Sequence, residues 1–334
     1  MKATLAQRLS NQHLTRPLEG PVEVVRSLLA VQAQEYWGGL WAVGLRTRGA
    51  TAASVEAALA RGDILRSHPM RGTHHFVVRD DLRWLMELMG PLMLQRHGRR
   101  IRELGLDAKT LSKSMTLLQK ALEGGRHLTR ADVNALMLRN GIEPGFQRMP
   151  HIVYHAELQR LVCSGVRQGR HVTVALFDER VPKSAARTRE WALAEMARRY
   201  FATRAPATID DFAWWSQLPM GDVREAIALA GVDVDAVGPK AKGRAPRAFA
   251  LPPYDEYTVA YRDRSAVGVV PEGKVKFAAT TMLGPNLVLD GEVVGQWWRK
   301  GTKVTLEPWR KLPKADVAVV EAAAQRWAEF ADAG

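Results

Sequence analysis

Cysteine is almost missing: one residue, Cys163, in a chain of 334. A single thiol excludes an internal disulfide framework and any cysteine-rich zinc site. Long apolar runs are missing too. No stretch reaches the roughly 18 residues that a membrane-spanning helix needs. The opening MKATLAQRLSNQHLTR is basic and amphipathic and lacks the apolar core of a secretory signal. No block of like charge is long enough for a disordered basic or acidic tail. Together these absences lead to the expectation of a reducing, cytoplasmic setting.

Positive charge, by contrast, is in surplus. Lys and Arg number 48 against 35 Asp and Glu, giving +13 and an isoelectric point near 10.1. Such a surplus favours a polyanionic partner, because each neutralised phosphate releases condensed counterions. An arginine-rich composition without functional meaning is the alternative. The 46% hydrophobic content suffices for one large core or for two to three smaller ones.

Helix-period apolar patterns run from residue 1 to about 230, and strand-like alternation takes over afterwards. LTRADVNALMLRNG (128–141) and ATIDDFAWWSQLPMG (207–221) both have Thr as second residue and Asp three residues after it. Thr129 with Asp132, and Thr208 with Asp211, therefore predict N-terminal capping boxes built with Asp. Each has a helical stretch before it and another after, the layout of a helix-turn-helix unit. SGVRQGRHVTVALFD (164–178) adds two strands about a turn at Gln168-Gly169, which reads as a wing with a basic tip. Nearer the start, helices over 2–14, 21–33 and 54–61 precede DILRSHPMRGTHHFVV, two strands bent at Pro69 and Gly72. The expected fold is mainly α with β wings. Three tandem winged-helix units occupy 1–106, 107–186 and 187–250, and a β-rich segment with a terminal helix occupies 251–334. Asp290-Gly291 predicts a two-residue hairpin in that last segment. Gly124-Gly125-Arg126 and the basic stretch 238–248 read as linkers, the latter equally as a mobile DNA-contacting loop.

The least expected residues in an apolar setting are the glutamines of LLAVQAQEYWGGLW (28–41). Gln32 and Gln34 stand among Leu29, Val31, Trp37 and Trp41, where an amide gains nothing without partners. In an α-helix, residues i and i+2 lie about 200° apart and cannot converge. The pair shares a face only if the helix ends or distorts near Val31–Gln32. Both glutamines bridging backbone at a wet helix junction is the bland alternative.

Candidate DNA contacts are Arg66, His68, Arg71, Thr73 and His75 on the first wing, Arg148 on the recognition-like helix, and Arg167, Arg170 and His171 on the second wing. Arg262 and Arg264, after the YDEY run, complete the set. Alternation places Arg71, Thr73 and His75 on one face and Gly72 and His74 on the other. No metal site is expected. His74-His75 has no Cys or carboxylate suitably spaced, and the HIVYH of His151 and His155 lacks the Glu of the metalloprotease motif. Each Trp-Trp pair, 214/215 and 297/298, is expected to put one ring in the core. Asp255 and Glu256 are the carboxylates on which an acid-catalysed alternative would rest.

Five phrases, in order from about residue 25 to 300, resemble the AlkZ/YcaQ-type DNA glycosylases: LLAVQAQEYWGGLWAVGLRTRG, MRGTHHFVVRDDLRWL, ATIDDFAWWSQL, LPPYDEYTVAYRDR and VLDGEVVGQWWR. That family's catalytic Gln-x-Gln motif falls on Gln32 and Gln34, the form of the AlkZ branch; the YcaQ branch ends in Asp. The resemblance implies tandem winged helices forming a concave DNA-binding surface. It implies excision of N7-alkylguanine and N3-alkyladenine, unhooking of interstrand crosslinks, and neither metal nor organic cofactor. The implied partner is double-stranded DNA containing alkylated purines, bound by a monomer in the bacterial cytoplasm at the nucleoid, with no membrane partner. VGVVPEGKVKFAATTMLGPN (267–286) departs from the family pattern.

Two neutral amides suit that chemistry. An N7-alkylated base is cationic and leaves as a neutral purine, so it needs little help from a general acid. The remaining task is to orient water at C1′. No helix-hairpin-helix signature with a Lys or Asp after it is present, and no N-terminal Pro nucleophile, so a Schiff-base lyase step is not indicated. The rival reading, from another class, is a non-catalytic winged-helix regulator. Regulators usually read palindromes as dimers, and no dimerisation helix or effector domain is visible.

Overall fold

Capping decides where several helices begin. Thr129 accepts the Asp132 N–H while Asp132 accepts the Thr129 N–H, and Thr208 and Asp211 do the same, so both capping boxes form. They open the helices Arg130–Arg139 and Ile209–Ser216. Asp107 caps Ala108–Leu122 by accepting the Thr110 N–H. The computed structural model describes residues 3–145, 147–183, 185–234, 247–268 and 283–332. Helices dominate, joined by small antiparallel sheets, in a mixed α and β architecture. Among the described residues no helix is long and apolar enough to cross a membrane.

The chain divides into two compact units, Met1–Ala57 with Leu193–Gly334, and Ala58–Ala192. The divisions fall inside the helices Ala52–Arg61 and Arg189–Arg204. In the Ala58–Ala192 unit, a hairpin pairs Ile64–Met70 with Thr73–Val78. Its turn, Arg71-Gly72, has both residues at positive φ, 58° and 66°. That is the mirror-image turn whose twist matches paired strands. Pro69 sits at the irregularity between Ser67 and Met70, where the ladder needs no N–H from it. The 25-residue helix Arg79–Glu103 comes next, within the stretch whose apolar pattern is helical. Helices Ala108–Leu122, Arg130–Arg139 and Arg148–Leu158 then enclose a core of Leu118, Leu122, Val133, Met137 and Ile152. The second hairpin forms from Val162–Ser164 and Thr173–Leu176, with Gln168 bridged to His171 at its tip. Gly124 and Gly125 donate to the Glu179 carboxylate. They form a pinned turn inside this unit, where the sequence suggested a linker.

The other unit carries the four-stranded antiparallel sheet Lys303–Pro308, Glu292–Lys300, Asn286–Leu289 and Ala248–Ala250, in that order. Asp290 and Gly291, at φ 49° and 84°, make the expected two-residue turn. The terminal helix Lys314–Asp332 buries Trp327 and Phe330. Trp215 and Trp297 are buried while Trp214 and Trp298 are exposed, one ring of each pair in the core. Most of the 238–248 stretch, and most of 267–286, lies outside the described residues.

One boundary shifts where it matters most. The sequence predicts a helix over 21–33, but it ends at Leu28. Leu29 takes φ 66°, ψ −52°, a left-handed φ that costs a branched residue energy. Its side chain is wholly buried, and that burial holds it there. A further helix, Tyr36–Gly44, follows the motif.

Candidate active site

Because the helix stops at Leu28, Val31–Gln32 is extended and Gln34 lies in a bend. The helix therefore ends before Val31–Gln32, the break that the spacing of the pair requires. Val31 and Ala33 point into the core. Gln32 is 7% exposed, and its Oε1 accepts no hydrogen bond from the described residues. A buried acceptor left so costs about 1–3 kcal/mol. Gln34 is exposed. The motif thus offers one sequestered carbonyl oxygen and one solvent-facing amide, and neither titrates.

Glu35 anchors the start of the next helix. Its Oε1 accepts the Trp37 N–H (3.2 Å) and its Oε2 the Gly38 N–H (2.5 Å). It therefore caps Tyr36–Gly44, where the helix dipole favours a carboxylate. Arg299 donates to the same Oε2 at 2.7 Å and lies over the Trp327 ring. A Cβ on Gly38 would fall 2.8 Å from Glu35 Oε2, so glycine leaves room for the carboxylate. The far end of the helix is clamped too. Trp41 Nε1 donates to the Ala250 carbonyl, and its ring packs on Trp327 and Phe330. Sequence reasoning missed Glu35 and Arg299. The only signal for Glu35 was a carboxylate just before an aromatic, glycine-containing run; Arg299 is 264 residues away in sequence and gave none.

The two carboxylates of the acid-catalysed alternative are committed to structure. Asp255 receives both terminal nitrogens of Arg46, at 2.9 and 2.7 Å, with both side chains 0% exposed. Arg46 also donates to the Gln12 and Ala42 carbonyls and to Gln12 Oε1. Glu256 binds Arg204 at 2.7 Å, again at 0% exposure, and accepts from Trp215 Nε1. Arg204 donates as well to the Leu28 carbonyl, at the end of the helix before the motif. Both carboxylates are thus occupied by buried arginine partners and are not presented to a ligand.

The remaining candidates fall into groups. Arg170 and His171 are exposed at the tip of the second hairpin, and Arg167 is half-buried beside them in sequence. Arg262 is exposed, bound to Asp210 at 2.8 Å. Arg264 is half-buried, its Nε on the Thr258 carbonyl and its guanidinium over Trp214. Arg148 donates to the carbonyls of Glu143, Leu104 and Gly105 and so ties loops together. On the first hairpin Arg66, His68, Arg71 and Thr73 are half-buried, but His75 is 0% exposed. His75 Nδ1–H donates to the Thr73 carbonyl and its Nε2 accepts from Arg71, so His75 braces the turn and presents nothing to a ligand. His68 and His74 meet the Glu157 carboxylate, a grouping that no sequence spacing revealed.

Comparison with known proteins bears on the family and the fold. Residues 25–330 match the family described as DNA glycosylase AlkZ-like. The fold is similar to that of the Streptomyces sahachiroi DNA glycosylase AlkZ, with a TM-score of 0.78 at 20% identity, covering 98% of this chain and 96% of that one. No curated protein sequence matches.

Proposed function

The chain belongs to the AlkZ-like DNA glycosylase family, and from that premise we propose that it hydrolyses the N-glycosidic bond of cationic alkylpurines, with Gln32 and Gln34 placing the water. The observation that carries this reading is the buried Gln32 Oε1 that accepts no hydrogen bond from the described residues. A fixed amide oxygen is an acceptor for one water proton and aims that water's lone pair at C1′. The exposed Gln34 faces the sugar side. The C1′–N bond breaks with its electron pair passing to the base, whose positive charge is thereby cancelled. The oxocarbenium-like sugar takes the water oxygen, and the water's proton passes to solvent. N7-alkylguanine and N3-alkyladenine are the substrates this chemistry favours, crosslinked N7-alkylpurines included.

Duplex DNA is the proposed partner, held through exposed cations such as Arg170 and Arg262, with the exposed His171 beside Arg170. The helix-turn-helix units with hairpins are read as winged helices, the element order that suits groove and phosphate contact. The test is excision of N7-methylguanine by Gln32→Ala, Gln34→Ala and the double variant. Each single change is expected to remove most base release while duplex affinity stays within about twofold, because neutral amides add little to phosphate binding. Wild-type excision in the double variant would overturn the proposal.

A further inference from the structure

We propose that His68, His74 and Glu157 form a binding site for one divalent transition-metal ion, with zinc the best fit. The site is separate from the glutamine motif and does not depend on the excision chemistry. It arises from the hairpin register. Ser67 pairs with His75 and Met70 with Thr73, so His68 and Pro69 together face His74 within the irregularity between them. Their ring centroids are 3.6 Å apart. Glu157, in the last turn of helix Arg148–Leu158, closes the group from a third element. One donor atom from each of the three lies within 4.8 Å of the others, and His68 Nδ1 is 2.8 Å from Glu157 Oε2. In a tetrahedral site with bonds of about 2.0–2.2 Å, neighbouring ligand atoms stand a little over 3 Å apart. Small rotations bring this set to that spacing.

Charge is the second argument. Glu157 is only 3% exposed, yet among the described residues it meets no arginine or lysine. Its partners are the Ser67 hydroxyl, the His68 N–H and the His68 ring, all on Oε2. The deeply buried carboxylates Asp255 and Glu256, by contrast, each have an arginine. A buried carboxylate without a permanent countercharge is costly, and a dication supplies that charge. The Ser67 and His68 N–H bonds would then orient the carboxylate from behind, as outer-shell donors do in metal sites. Two nitrogens and one carboxylate suit zinc, cobalt or nickel and not the all-oxygen preference of magnesium or calcium. Three protein ligands leave a fourth position to water. Such an ion would staple the hairpin to helix Arg148–Leu158 and hold the Arg71-Gly72 turn in place.

The test uses tag-free full-length protein, stripped with chelator and titrated with Co²⁺ and then Zn²⁺. The expected result is one equivalent bound, tetrahedral-type visible absorption for the cobalt form, and a higher unfolding temperature with either metal. His74→Ala and Glu157→Gln are each expected to weaken binding about tenfold or more, since even outer-shell losses reach that size. His151→Ala is the control for the competing pair, because His151 Nδ1 lies 3.1 Å from His97 Nε2. It should leave binding unchanged, and circular dichroism of each metal-free variant checks that it folds. Failure of the wild-type protein to bind one equivalent overturns the proposal. So does loss of binding in His151→Ala with retention in His74→Ala.

Discussion

At the scale of single residues, groups that act on substrate are distinct from groups that hold them. Glu35 belongs to the second kind: it links the residue after Gln34 to the next helix and to Arg299. Glu35→Gln keeps the shape but loses the charge that Arg299 and the helix end both favour. It should lower the excision rate about ten- to hundredfold, the usual cost of misplacing a reacting group by an ångström. Duplex affinity should stay constant, and single-turnover kinetics beside a binding isotherm would show both. Asp255 tests the converse. Asp255→Asn leaves the buried Arg46 unpaired, which costs about 3–5 kcal/mol. Denaturant unfolding should show that loss, while excision per folded molecule persists. A stable Asp255→Asn protein with no activity would instead make Asp255 the acid.

At the scale of elements, the helix Tyr36–Gly44 holds the motif's exit, and Gly38 in its first turn leaves room for the Glu35 carboxylate. Alanine normally stabilises a helix interior over glycine by about 0.5–1 kcal/mol. Here the added methyl would meet the Glu35 carboxylate at 2.8 Å. Gly38→Ala should therefore lose excision although its helix propensity improves, measured as activity beside the unfolding midpoint. Much at this scale was legible in the sequence, because local rules governed it. The Thr–Asp boxes, the Asp290-Gly291 turn and the split fate of the tryptophan pairs come from side chains a few residues apart. The illegible features depend on distant partners. The stop at Leu28 is enforced by burial of Leu29 in a left-handed conformation. The Glu35–Arg299 and Arg46–Asp255 pairs span more than 200 positions. The carboxylate that sequence spacing denied to His74 arrives from a separate element, the helix Arg148–Leu158, as Glu157.

At the scale of the whole molecule, charge and acid response are both measurable in bulk. The +13 surplus predicts steep salt dependence of duplex binding, with a log–log slope of about −5 or steeper if six or more phosphates are contacted. A slope near zero would make the charge compositional. The acid response rests on buried imidazoles, of which His13 and His97 fall in the accessible window. Burial lowers His13, assisted by Arg46 and Arg204, to about 4. His97 is likewise lowered to about 4, by burial and then by His151 and His155. The unfolded chain, with imidazoles near the ordinary 6.5, takes up protons that the folded chain refuses. Stability present above that value should therefore fall as pH drops from about 6.5 towards 4. A thermal midpoint flat across this window would contradict the burial of both rings.

Excision itself should be flat in pH wherever the protein stays folded, since neither glutamine titrates. The central claim, that placed water and a cationic leaving group suffice, is tested most directly by comparing two bases in otherwise identical duplexes. N7-methylguanine leaves as a neutral purine. Uracil would leave as an anion and would need a proton donor worth about 10² to 10⁴ in rate. The carboxylates nearest in chemistry, Asp255 and Glu256, are held in buried arginine pairs. Rapid release of N7-methylguanine and no detectable release of uracil by the same preparation are expected. Efficient release of uracil would contradict the claim.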